Sequence, residues 1–267
     1  MRLDPGWLRV RYALEHALDA AFGQDGSTCV EFDSVLSLDE FQRLGYLRNF
    51  PHLACLCGRI SADMAEDLSK HDTRLDHETA LPGINFGLLP ATCFKAYVEL
   101  ENTVLDAPRY ISCIAKCFRN EDKPLDDYRG FSFTMKEFVC IGPSDVTQGH
   151  ADAGLDKVGA FLTRLGISHD IETASDPFFD GSSSQAILSR LIPTKREVVF
   201  DGNAISSANI HRNYFGEKFN IRLDREFATT SCVAFGLERW LQMLKDTFKT
   251  PDRALSALEG TDQLIRS

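Results

Sequence analysis

Long apolar runs are absent from the 267-residue sequence. None reaches the roughly 18–20 residues that span a bilayer, so no membrane partner is expected. Met1-Arg2-Leu3-Asp4-Pro5 has no apolar signal core, which points to the cytoplasm. Positive charge is in deficit: 29 lysines and arginines face 39 aspartates and glutamates, a net charge of −10 with neutral histidines. No run of Lys or Arg occurs. Phosphate contacts dominate nucleic-acid affinity, so a long tRNA or DNA footprint is disfavoured, while a local nucleotide site stays open. The eight cysteines, at 29, 55, 57, 93, 113, 117, 140 and 232, include no C-x-x-C, and no H-x3-H occurs. That excludes a zinc-finger spacing and, without a secretion signal, favours reduced thiols over a disulfide framework. Repeats and low-complexity stretches are also missing.

What is present is an ordinary globular composition, 43% hydrophobic and 25% charged. No composition break calls for a second domain, so one domain over 1–267 is expected. The apolar stripe Trp7, Val10, Leu14, Ala17, Leu18, Ala21 and Phe22 predicts a helix over 7–22 ended by Gly23. Helices are also expected over 38–46, 61–71, 155–165 and 237–248, with 72–88 as loop. Tyr110–Phe118 and Phe131–Ile141 read as the strands of a long antiparallel hairpin around a polar loop. Further strands are expected over 197–200 and 229–235. Helices, then antiparallel strands, then added helices make the fold class α+β rather than a parallel βαβ fold.

Two local patterns carry chemistry. Phe118-Arg119-Asn120-Glu121 ends the first hairpin strand, and period two puts Arg119 and Glu121 on one face. On the returning strand Phe131, Phe133, Met135, Glu137 and Val139 share a face. An arginine, two carboxylates and an aromatic ring can therefore meet over one surface; taken alone, the pattern favours a surface ion pair over a half-buried sheet. The second pattern is Ser231-Cys232-Val233-Ala234-Phe235-Gly236-Leu237-Glu238-Arg239. Cys232, Ala234 and Gly236 share a strand face and leave room for a flat ligand. Arg239 follows in the first turn of a helix, where its guanidinium can reach a phosphate or stack on a ring. Close helix–sheet packing with a surface arginine would look the same.

In this order and spacing the two resemble motifs 2 and 3 of the class II aminoacyl-tRNA synthetases. Arg43-Leu44-Gly45-Tyr46-Leu47-Arg48-Asn49-Phe50-Pro51 is similar to motif 1, the dimer-forming element. Asp176-Pro177-Phe178-Phe179 and Ser206-Ser207-Ala208-Asn209 fall where seryl-type enzymes have comparable segments. In Leu89-Pro90-Ala91-Thr92-Cys93, a cysteine stands where ordinary seryl-tRNA synthetases carry a carboxylate. The methanogen-type seryl enzymes and the amino acid:[carrier protein] ligases hold zinc there with two cysteines and a glutamate. The matching residues are Cys93, Glu137 and Cys232. Two thiolates and a carboxylate are good zinc ligands, and three protein ligands leave a fourth position open.

The resemblance implies an antiparallel class II core that forms an aminoacyl-adenylate from ATP, supplied with Mg2+, and a small amino acid. Arg119 would neutralise the α-phosphate and Arg239 cover the γ-phosphate. Phe133 and the Arg239 plane would sandwich adenine, Glu121 would fix its exocyclic amine, and zinc would take the free α-amino group. The expected acceptor is the phosphopantetheine thiol of a carrier protein, with tRNA disfavoured because the core carries no added tRNA-binding domain and is acidic. A homodimer through motif 1 is implied. A zinc-dependent seryl-type tRNA synthetase core and a non-catalytic amino-acid- or nucleotide-binding paralogue are the alternatives; retention of Arg119 and Arg239 opposes the latter. Ala204 stands where the seryl enzymes place a Mg2+-binding glutamate, which leaves Asp201 or Glu217 as substitutes, or a shifted register.

Overall fold

The computed structural model describes residues 2–70, 83–121 and 125–265. Helix α1 (Pro5–Phe22) begins where the Asp4 carboxylate accepts the Trp7 backbone N–H at 2.9 Å, and it ends at Gly23. Its stripe of Val10, Leu14, Ala17 and Leu18 is buried. Strands β1 (Thr28–Glu31) and β2 (Val35–Ser37) lead into α2 (Leu38–Arg43). A reciprocal cap starts α2: the Glu40 backbone N–H donates to Ser37 Oγ at 3.2 Å, and the Ser37 N–H to Glu40 Oε2 at 2.7 Å. Gly45, at φ +73°, then turns the chain into α3 (Tyr46–Asn49). A side chain there would be strained, and its Cβ would meet Tyr214 Oη at 2.3 Å.

Strand β3 (Leu56–Gly58) and α4 (Ala62–Lys70) precede β4 (Ile84–Leu88). Residues 84–88 correct the expected loop. β4 is paired on both sides, by β2 and by β3, so tertiary pairing overrides its weak local pattern. Residues 72–82 of that loop, with His71 before them, lie outside the described residues. Helix α5 (Cys93–Glu99) and β5 (Val104–Leu105) come next. Then β6 (Arg109–Phe118) and β7 (Ser132–Gly142) form the expected hairpin, in unbroken register from Arg109 opposite Ile141 to Phe118 opposite Ser132. Its tip at 122–124, including Pro124, lies outside the described residues.

Helix α6 (Ser144–Arg164) starts well before the expected Leu155. Its first half buries Thr147, Ala151 and Gly154. These are small residues chosen for close approach to the sheet: a Cβ on Gly154 would lie 2.3 Å from Val233 Cγ2. Apolar periodicity does not register such a face. The chain continues through β8 (Asp170–Ala174), α7 (Ser184–Leu191), β9 (Lys195–Phe200) and β10 (Asn203–Arg212). It ends with α8 (Tyr214–Lys218), β11 (Arg222–Leu223), β12 (Glu226–Phe227), β13 (Thr229–Gly236), α9 (Leu237–Phe248) and α10 (Pro251–Ile265).

The main sheet has the order β1-β6-β7-β13-β10-β9-β8 and is antiparallel except at β1–β6. Smaller sheets are β2-β4-β3 and β12-β11-β5. The α+β class follows. Alternation along β13 splits the core between two faces. Val233 and Phe235 join α1, α6, α9 and α10 on one side, while Cys232 joins α5, α8 and the motif 1 segment on the other. No helix among the described residues is long and apolar enough to cross a membrane.

Candidate active site

The second face of the sheet floors a cavity of about 880 Å³, within the range of nucleotide and cofactor sites. Phe133, Met135 and Glu137 of β7 and Cys232, Ala234 and Gly236 of β13 line it, as period two requires. Arg119, Glu121 and Arg239 line it too. Every site residue expected from the sequence therefore opens onto one space.

Arg119 sits just past β6. Its Nε donates to the Pro90 carbonyl at 3.0 Å, and its guanidinium carbon lies 5.2 Å from the centre of the Phe133 ring. Arg239 is fixed more firmly. Nε donates to the Tyr128 carbonyl at 2.9 Å and Nη1 to the Ala204 carbonyl at 2.7 Å. These two bonds set the guanidinium plane between the hairpin loop and β10. Neighbours pin the helix that carries it. The Thr134 backbone N–H donates to Glu238 Oε2 at 2.6 Å, and Trp240 Nε1 donates to the Ile205 carbonyl at 3.1 Å. Burial, then repulsion from Arg119 and Arg129, holds the Arg239 pKa below its usual value, against the pull of Glu121 and Glu197. Glu121 is shared with Arg129, whose Nε lies 3.5 Å from Glu121 Oε2. An acidic chain thus concentrates three guanidiniums at one cleft.

Below them lie Cys93, Glu137 and Cys232, with one ligand atom from each within 4.8 Å of the others. All three are buried. Cys93 is the first residue of α5, and its backbone N–H donates to Glu137 Oε1 at 3.1 Å. Ala234 stands opposite Glu137 in the register, and Cys232 opposite Val139. Burial pushes the Cys93 thiol well up, with Cys232 and Glu137 adding to it. The bond with Cys93 draws the Cys232 thiol down, but burial and Glu137 outweigh it and the net shift is upward. Two thiols and a carboxylate gathered out of water are a donor set that fits a divalent zinc ion, whose charge would favour the thiolate forms that burial alone disfavours.

The sequence reading missed several lining residues. Lys195 lies 3.1 Å from Asp176 Oδ1 and 3.0 Å from Glu197 Oε1. Burial alone would raise the Asp176 carboxyl, but Lys195, with Arg119 and His211, brings it below its usual value. Residues 195 and 197 share a strand face, so period two across Lys195-Arg196-Glu197 was the available signal. Leu44, Tyr46, Asn49 and Phe50 of motif 1 also line the cavity. Of the two carboxylates considered for Mg2+, Glu217 is among the lining residues and takes a bond from Asn213, whereas Asp201 is not among them. Glu197 lines the cavity opposite Ser207.

These features define a class II aminoacyl-tRNA synthetase-type catalytic fold. A seryl-tRNA synthetase of M. kandleri, solved with an A. aeolicus tRNASec, superposes with a TM-score of 0.79 over 96% of this chain and 55% of that chain. At 18% identity that likeness carries the fold alone. The chain belongs to the amino acid–[acyl-carrier-protein] ligase family, and so to an enzyme family. It is 30% identical over 239 residues to amino acid–[acyl-carrier-protein] ligase 1 of Bradyrhizobium diazoefficiens, spanning 84% of this chain and 72% of that protein. A type-2 serine–tRNA ligase of Methanococcus maripaludis is 24% identical over 79% of this chain, but over only 46% of its own length. No protein-family model matches the chain.

Proposed function

We propose that residues 1–267 work as one catalytic unit in the cytoplasm, activating glycine or alanine with ATP and passing the aminoacyl group to the phosphopantetheine thiol of a carrier protein. The observation that carries the reading is the convergence of Arg119, Arg129 and Arg239 on the cavity that also holds Cys93, Glu137 and Cys232. In the first step an amino-acid carboxylate oxygen attacks the α-phosphorus of ATP, and pyrophosphate leaves. That step needs alignment and charge neutralisation more than proton transfer. Arg119 neutralises the α-phosphate and Arg239 the γ-phosphate, both held in plane by carbonyl acceptors. Phe133 and the Arg239 plane hold the adenine between them, and Glu121 accepts from its exocyclic amine. Mg2+ enters with ATP as part of the substrate. Cys93, Glu137 and Cys232 would hold a zinc ion, which would supply a Lewis-acid site for the neutral α-amino group. In the second step the carrier's thiol sulfur bonds to the carbonyl carbon, its proton is lost, and AMP leaves.

A small substrate is favoured because Tyr46, Phe94, Met135 and Phe215 pack with Cys93 and Cys232 in one apolar cluster. One methylene discriminates by only about 1–3 kcal/mol in such a pocket, so glycine and alanine are not sharply separated. A carrier in place of tRNA is supported by the acidic balance and by an apolar rim at the cavity. Leu188 and Ile192 line the cavity, and with Ile187 and Leu191 they are exposed. A homodimer is supported by the exposed Val35, Leu56 and Ile84 on the small sheet beside motif 1.

The test supplies enzyme, ATP and labelled glycine or alanine to holo-carrier, apo-carrier and total tRNA in separate reactions. Label on holo-carrier alone, released by hydroxylamine as a thioester is, is the expected result. Nuclease-sensitive label on tRNA would replace this reading with the seryl-type one.

A further inference from the structure

Cys232 is contacted by a side chain that the activation chemistry leaves unused. Strand β10 pairs with β13 so that Asn209 faces Cys232 and Ile210 faces Ser231. The register then shifts, and Arg212 faces Thr230. His211 is the extra residue of that bulge, and Arg212 adopts φ +53° immediately after it. Bulges beside active sites re-aim a side chain. Here the half-buried imidazole stands at the cavity wall, between Tyr97 and Cys232. Its Nδ1 lies 3.3 Å from Tyr97 Oη and 3.1 Å from Thr230 Oγ1, and its Nε2 lies 4.0 Å from Cys232 Sγ, the outer reach of an N–H···S contact. Tyr97 is itself fully buried and stacked on Phe215, with ring centres 4.2 Å apart at 16°.

The partners decide the tautomer. Two hydroxyls lie within reach of Nδ1, whose single lone pair takes a proton from one of them. A metal-bound thiolate on the other side has none to give. The arrangement that satisfies both ring nitrogens leaves Nδ1 as acceptor and puts the ring proton on Nε2, facing the sulfur. Asn209 Nδ2 donates to the same sulfur at 3.5 Å. Two thiolates and a carboxylate around a divalent ion leave one surplus negative charge out of water, and N–H dipoles aimed at a sulfur offset it.

We infer that His211 is a positioning residue for the metal centre, donating from Nε2 to the Cys232 thiolate while Tyr97 and Thr230 hold its tautomer. The inference rests on the zinc reading and goes beyond it, since His211 falls outside the ligand group of Cys93, Glu137 and Cys232.

The test compares three variants in zinc competition against a chromophoric chelator and in the spectrum of the cobalt-substituted protein. His211→Asn keeps an amide where Nδ1 stands but has no donor that reaches the sulfur. His211→Gln restores a donor near the Nε2 position. Tyr97→Phe removes only the outer hydroxyl and keeps the stacked ring. His211→Asn should weaken zinc binding about 10–100-fold, the usual cost of losing such a support. It should also move the thiolate-to-cobalt charge-transfer bands to longer wavelength, because a sulfur without its N–H donor gives up charge more readily. His211→Gln should return both to near wild type, and Tyr97→Phe should weaken binding by a smaller factor. Wild-type affinity and unshifted bands in both His211→Asn and Tyr97→Phe would overturn this inference alone. A wild-type protein that takes up neither zinc nor cobalt would overturn the metal reading and this inference with it.

Discussion

Replacing Arg239 by lysine keeps a positive charge in the cleft but removes the planar fork that holds it. The wild-type guanidinium gives Nε to the Tyr128 carbonyl at 2.9 Å and Nη1 to the Ala204 carbonyl at 2.7 Å. Its remaining N–H groups are thereby aimed at a fixed place. A lysine ammonium is a point charge on a flexible stem and reproduces neither bond in that geometry. Hydrogen bonds from charged donors contribute about 1.5–3 kcal/mol each, and a lost donor at a developing charge in a partly dry site costs about 3–4 kcal/mol of activation free energy. At about 1.4 kcal/mol per factor of ten, Arg239→Lys should slow amino-acid-dependent pyrophosphate exchange roughly 100–1000-fold and raise the KM for ATP. Since the Tyr128 segment is tied to α9 through this side chain, and through Tyr128 Oη donating to Asp246 Oδ2 at 2.6 Å, the fold should survive. A circular dichroism melt checks that. A folded lysine variant that keeps more than about a tenth of the wild-type exchange rate would refute the assignment of Arg239 to the phosphates, because charge without direction would then suffice.

One zinc per chain is expected on metal analysis, and it should be lost in Cys93→Ala and Cys232→Ser; well under half an equivalent in active wild-type protein would count against the trio. Acid should destabilise the fold through His150, since burial, then repulsion from Lys157, holds its pKa down to about 4 from 6.5. The unfolded chain takes up this proton first, so its contribution is complete above pH 6.5 and is lost as pH falls towards 4. At pH 5 the loss is about 2 kcal/mol, and denaturant midpoints for His150→Gln against wild type at pH 7.5 and 5 should show the difference shrinking in acid. Light scattering should give a particle of twice 29.9 kDa; a monomer at micromolar concentration would remove motif 1 from an interface.

The sequence was most legible where one element carries its own periodicity. The β6–β7 hairpin and the β13–α9 corner were legible as strands and a helix from their own residues, and it was the resemblance of their motifs to the class II synthetases that named Arg119, Phe133, Glu137, Cys232 and Arg239 in advance. Helix α6 shows the opposite case. Its first half buries Thr147, Ala151 and Gly154, which succeed by being small, and smallness has no apolar signature. Strand β4 was invisible because its order comes from two partners distant in sequence. His211 was out of reach for a sharper reason: the bulge after Ile210 determines where it points, and a bulge is a property of two strands. Lys195 and Glu197 were within reach by alternation alone, but only knowledge of which face is the floor would have given them meaning.

The two central strands also explain why the proposed metal donors and phosphate ligands stand where they do. β7 and β13 are antiparallel, with Ala234 opposite Glu137 and Gly236 opposite Met135. Going from Glu137 back to Phe133 and from Cys232 on to Gly236 therefore advances in the same direction across the floor. Each path is four residues, or about 13 Å at strand spacing. On the proposed reading, the amine end of an aminoacyl-adenylate lies at Glu137 and Cys232 and its base at Phe133 and Gly236, so both strands measure the same molecule. The small side chains of Ala234 and Gly236 keep the surface between those ends low enough for a ligand to lie flat. Arg119 and Arg239 stand just past the ends of β6 and β13, where side chains can rise over that surface rather than fill it. An insertion of one residue between Cys232 and Gly236 would invert the alternation, turning Cys232 or Gly236 to the opposite face. It would part the metal donors from the nucleotide floor even if every named residue were still present. The arrangement thus depends on spacing as much as on residue identity, and that is why two short motifs, read together and in register, carry more than either does alone.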